Sequence, residues 1–90
     1  MKHATPQSLD RIDRLLEKLR KLSALKEKSL GVFYFKSRAF LHFHEDDAIL
    51  YADVRLRGAD FKRFRVASIV EQDRLISAVT KKVGEPHKEA

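Results

Sequence analysis

Two imidazoles sit one residue apart in His42-Phe43-His44, the densest cluster of reactive side chains in the sequence. On an extended strand successive side chains point to opposite faces, so both rings share one face, about 7 Å apart along the chain. That is a ligand spacing for zinc, copper or iron once a third group arrives from a neighbouring strand or turn. Asp53 is the first candidate for that group, with Tyr51, Asp46 and Asp47 behind it. Either imidazole beside Asp53 would also make the best available acid/base group. A hydrolytic reading needs a nucleophile, but Ser37 fits a turn and Ser68 a helix cap, and neither lies in a nucleophile motif. With only three glycines, the chain has no phosphate-cradling loop. Binding is therefore favoured over catalysis, and a divalent metal is the one cofactor the residues suggest.

The elements that position these groups must come from one small domain. Ninety residues are too few for two independent cores, and 43% apolar with 36% charged residues is a folding composition. No cysteine is present, so neither a disulfide nor a thiolate metal site supports that core. The first residues show no apolar leader, and the longest apolar run, Leu30 to Phe35, falls far short of the ~20 residues a membrane span requires. A cytoplasmic protein with no membrane partner is expected. The formal charge of +6 favours acidic partners, including nucleic acid and anionic ligands. Part of that charge lies in Arg55, Arg57, Lys62, Arg63 and Arg65, which are offset locally only by Asp60.

Thr5 followed by Pro6 marks a helix start, with Ser8 as the alternative cap. Leu9, Ile12, Leu15, Leu16, Leu19, Leu22 and Leu25 then recur at three- and four-residue spacing, predicting a helix to about Lys26 or Lys28. Beyond Gly31 the pattern alternates, predicting strands over Val32 to Phe35, Arg38 to His44 and Ala48 to Arg57, with a fourth over Phe61 to Val66. Glu45, Asp46 and Asp47 form a turn. Ser68 and Glu71 match a capping box, and Leu75, Ile76, Val79 and Val83 line a closing helix stopped by Gly84 and Pro86. The expected fold is α+β, a two-layer sandwich of helix, three or four antiparallel strands and helix, both helices on one sheet face. Its ordered core spans about residues 6–84, with flexible tails at 1–4 and 85–90.

If His44 stands opposite Ile49, then His42 faces Tyr51, Phe40 faces Asp53 and Arg38 faces Arg55. The helix-facing side then carries Ala39, Leu41, Phe43, Leu50, Ala52, Val54 and Leu56, joined by Val32 and Tyr34. The other side carries Phe33, Phe35, Arg38, Phe40, His42, His44, Ile49, Tyr51, Asp53, Arg55 and Arg57. A contiguous aromatic and basic surface of that kind marks a contact site. Three uses compete for it: self-association into a homodimer, stacking on single-stranded nucleic acid, and metal binding at His42, His44 and Asp53.

The stretch Gly31-Val32-Phe33-Tyr34-Phe35-Lys36-Ser37-Arg38-Ala39-Phe40-Leu41-His42-Phe43-His44-Glu45-Asp46 resembles a segment of short bacterial proteins with no assigned function. The likeness extends to Arg63-Phe64-Arg65 and the last helix. It implies a prokaryotic cytosolic origin, and no activity, cofactor or catalytic residue.

Overall fold

Thr5 opens the first helix as the sequence predicts: its Oγ1 accepts the Ser8 backbone N–H at 3.1 Å, and Pro6 takes the first helical position. The computed structural model describes residues 2–84, so the expected tail at 85–90 and the stop at Pro86 lie outside the described residues. The order is β1 (Lys2–His3), α1 (Pro6–Asp10), α2 (Asp13–Arg20), β2 (Leu25–Ser29), β3 (Val32–Phe35), β4 (Arg38–Asp46), β5 (Ile49–Arg57), β6 (Asp60–Arg65) and α3 (Ile69–Val83). Among the described residues the domain is thus α+β, with three helices and an antiparallel sheet.

The predicted single N-terminal helix is corrected in two places. It breaks at Ile12, whose φ of −123° and ψ of 33° leave the helical region, and it ends at Arg20. Leu25 to Ser29 is a strand instead. Leu25 suits either period, but as a strand residue it pairs with Phe35 and is buried, while Lys26 and Lys28 stay in water. The expected N-terminal tail is also partly a strand, since Lys2 and His3 pair with Glu45 and His44.

Strands β2 to β6 run as an antiparallel meander, with β1 added beside β4, so the sheet has six strands where three or four were expected. The β4–β5 turn is Asp47-Ala48, with φ of 53° and 65°, the pair of positive values that a two-residue hairpin turn requires. Strand β4 therefore continues through Glu45, which accepts the Ser8 hydroxyl and lies 4.0 Å from the Arg11 guanidinium. The register moves by two from the expected one: His44 faces Tyr51 and His42 faces Asp53. A shift of two changes the partners and preserves the faces.

Strand β3 is where the faces change. Phe33 pairs with Leu41, but Tyr34 pairs with Ala39, so one β4 residue is extra and the alternation breaks there. Phe40 and Leu41, adjacent in sequence, are both buried, and Phe33 is fully buried. One buried cluster unites Leu9, Leu15, Leu16 and Leu19 of the N-terminal helices, Leu75 and Val79 of α3, and Leu41, Phe43, Leu50, Ala52 and Val54 of the sheet. Helix α3 carries the predicted capping box, Ser68 with Glu71, and ends at Gly84 in the left-handed conformation that glycine adopts without strain. No helix among the described residues is long and apolar enough to cross a membrane.

Candidate metal centre

The open face of the sheet gathers side chains from four strands. On β4, His42 and His44 alternate with the buried Leu41 and Phe43, so core packing fixes the direction of both imidazoles. Across the ladder, Asp53 lies opposite His42 on one side and Arg63 of β6 on the other. Strand β1 brings His3 opposite His44, held there by the Ala4 N–H donating to the Phe43 carbonyl at 3.2 Å. Phe61 closes the group, its ring centroid 5.0 Å from that of His42.

Within this group, one ligand atom from each of His42, His44 and Asp53 lies within 4.8 Å of the other two. His44 Nε2 lies 3.2 Å from Asp53 Oδ2, close to the separation of two ligands on one tetrahedral ion with bonds of about 2 Å. The two β4 imidazoles meet edge to face, with centroids 4.7 Å apart at 82°. His42 Nδ1 is buried and has no hydrogen-bond partner among the described residues. An unpaired buried nitrogen of this kind costs stability until something takes its lone pair or its proton.

The charge states suit a cation. Burial of the His42 ring, with His44 beside it, holds that imidazole below the ordinary histidine value, against the pull of Asp53. Hydrogen bonds from Arg63, Nε to Oδ1 at 2.8 Å and Nη2 to Oδ2 at 3.1 Å, hold Asp53 below the usual carboxylate range although it is buried. At neutral pH the face thus offers a neutral imidazole and an ionised carboxylate, the forms that ligate metals. Arg63 is half exposed, so it can turn into water if a cation takes its place.

Several residues expected on this face lie elsewhere. Phe33 and Phe40 are buried in the core, and Phe35 packs against it, because the β3–β4 irregularity shifts the alternation by one residue. Tyr34, expected in the core, is instead approached by the Lys28 ammonium at 4.9 Å. Arg38 borders a separate cleft with Phe35, and Arg57 is exposed opposite Asp60 at the β5–β6 turn. Tyr51 does lie on the face, opposite His44 and Arg65. Arg55 stays on it too, its guanidinium 4.4 Å from the Phe61 ring centre. His3, Phe61 and the pairing of Arg63 with Asp53 are missed by the sequence reading. Alternation on β6, once its register is set, would have found Arg63; nothing local announces His3.

No protein-family model, curated protein or solved structure matches this chain. What the face can do is decided by its own groups: imidazole and carboxylate ligands at short range, with no cysteine in the sequence. This donor set suits zinc, nickel or copper(II) better than calcium or magnesium, which prefer oxygen ligands.

Proposed function

We propose that this domain binds a divalent transition metal, of the zinc class, through His42, His44 and Asp53. The observation that carries this reading is the convergence of the three ligand groups within 4.8 Å from two hydrogen-bonded strands. The backbone that holds them is the sheet itself, so binding needs only side-chain adjustment. A divalent cation there would satisfy the His42 nitrogen and neutralise Asp53 once Arg63 swings outward. Calorimetric titration with zinc and with nickel, on the parent chain and on His42→Ala, tests this. Saturable one-to-one binding by the parent, weakened at least about a hundredfold in the variant, is the expected result. Equal weak binding by both chains would end the proposal.

Exposure of Phe61 favours a second reading. Phe61 is 39% exposed, lies 4.4 Å from the Arg55 guanidinium and shares strand β6 with Arg63 and Arg65, the mixture on which an unpaired base stacks while its phosphates are neutralised. A mobility-shift series with single-stranded oligonucleotides over rising salt tests it, and salt-insensitive or absent binding removes it. Self-association through this face is weakened as a reading by the burial of Phe33 and Phe40, which were to form the seam.

A further inference from the structure

A second concentration of charge adjoins the histidine face at Arg55, where the β3–β4 turn, the β5–β6 turn and the last turn of α3 meet. A cleft of about 260 Å³ opens there, with Phe35 and Phe40 in its wall and Lys36, Arg38, Arg55 and Lys82 around it. Among the described residues, no carboxylate lines it. We propose that this cleft is a binding site for a phosphomonoester dianion.

The four cations differ in availability. Arg55 is committed, its Nε donating to the Ala39 carbonyl at 3.0 Å and its Nη1 to the Ala59 carbonyl at 3.1 Å. It serves as a fixed positive wall. The Lys36 ammonium rests 5.3 Å from the Phe35 ring centre, a contact it can leave without breaking a hydrogen bond. Arg38 and Lys82 are exposed, and the hydrogen bonds and ion pairs among the described residues include neither. Placing like charges around one concavity works against folding, and an anion removes that repulsion.

Three properties narrow the ligand. An arginine fork beside two ammonium groups matches a dianion with three terminal oxygens better than a single carboxylate. The phenylalanines give the ligand's organic part an apolar wall. The volume lies just under the ~300 Å³ at which ordinary small-molecule sites begin, so one phosphate group and a small body fill it. Such a group could belong to a free metabolite or to a phosphorylated side chain of another protein.

Titration of the full chain with phenyl phosphate, followed by amide NMR and calorimetry, tests the site, with Arg38→Ala, Lys82→Ala and the control Lys18→Ala. Lys18 is an exposed cation on α2, so its loss lowers net charge without touching the cleft. The expected result is saturable binding with amide shifts at residues 36–39 and near Lys82, weakened at least about fivefold in each cleft variant and unchanged in the control. Inorganic phosphate binding more weakly than phenyl phosphate would show the wall at work. A phosphotyrosine peptide binding more tightly still would assign the group to a protein, and parity with phenyl phosphate to a free ester. Equal weakening by Lys18→Ala, shifts centred on the histidines, or no saturation at about millimolar ligand would overturn the proposal.

Discussion

His42 and His44 stand two positions apart on one strand with rings 4.7 Å apart, yet their nitrogens meet opposite fates. His44 Nε2 lies 3.2 Å from the Asp53 carboxylate, while His42 Nδ1 is buried with no partner among the described residues. The same strand therefore carries one satisfied imidazole and one unsatisfied one. Such an imbalance is tolerated where a group is kept for binding.

His42→Phe keeps a flat ring at this place and removes the unpartnered nitrogen. Without metal, the variant should be more stable than the parent by about 1 kcal/mol in urea denaturation. With excess zinc the order should reverse, because ligand bound only to the folded parent adds about 2.7 kcal/mol at a hundred times its dissociation constant. A variant less stable under both conditions would show that His42 serves packing alone.

The same residue sets a pH dependence. Its folded pKa lies below the ordinary histidine value of 6.5, so below that pH the unfolded chain binds more protons than the folded one. The His42 contribution is complete above pH 6.5 and declines as pH falls through 6.5 toward the lower folded value. Metal-free parent protein should thus lose stability on mild acidification. His42→Phe should show a smaller loss over the same range, measured as melting temperature against pH.

Arg63 and Asp53 form a doubly hydrogen-bonded pair in which only the carboxylate is buried. Removing the two partners should therefore cost different amounts. Asp53→Asn releases Arg63 into water and should cost the smaller amount, whereas Arg63→Ala leaves the buried carboxylate to His44 alone and should cost more. The second variant also removes a cation that competes with metal, so its zinc affinity should rise several-fold while its metal-free stability falls. Chemical denaturation and zinc titration on the two variants check both halves.

Glu27 ties the strand missing from the sequence reading to the helix before it. It accepts two hydrogen bonds from Arg20, at 2.6 and 3.0 Å, and one from the Gly31 N–H at 2.9 Å. Arg20 above all, with Gly31, holds its carboxyl below the ordinary value of 4.5 although partial burial opposes this. Its stabilising contribution is then present above that pH and lost as pH falls through the folded value. Glu27→Gln should lower stability by about 1 kcal/mol at neutral pH and by less in acid, read from urea midpoints.

The capping box, the central hairpin strands and the Gly84 stop were legible in the sequence because each is set by residues within a few positions of one another. Strand β2 was not, since Leu22 and Leu25 extend the leucine period that precedes them and only the pairing of Leu25 with Phe35 decides otherwise. The face of Phe33 was hidden by one extra residue in β4, because a slip of one exchanges every side chain between faces. His42, His44 and Asp53 were found as a set, although by way of a register two residues off. His3 is joined to them solely by the short β1 pairing, which has no pattern of its own.

The revised face bears on whether the chain pairs with itself. With Phe33 and Phe40 buried, Phe61 is the large apolar side chain left exposed there, and charged side chains surround it. The outer strands are guarded as well: β2 exposes Lys26 and Lys28 and is irregular at Glu27 to Ser29, while β6 exposes Lys62, Arg63 and Arg65. Charge and irregularity at sheet edges oppose strand-to-strand association. Metal-free protein should therefore scatter light at its monomer mass of 10.5 kDa at micromolar concentration. A mass near twice that value, abolished by Phe61→Ser, would instead show that one exposed ring among arginines is enough to hold two copies together.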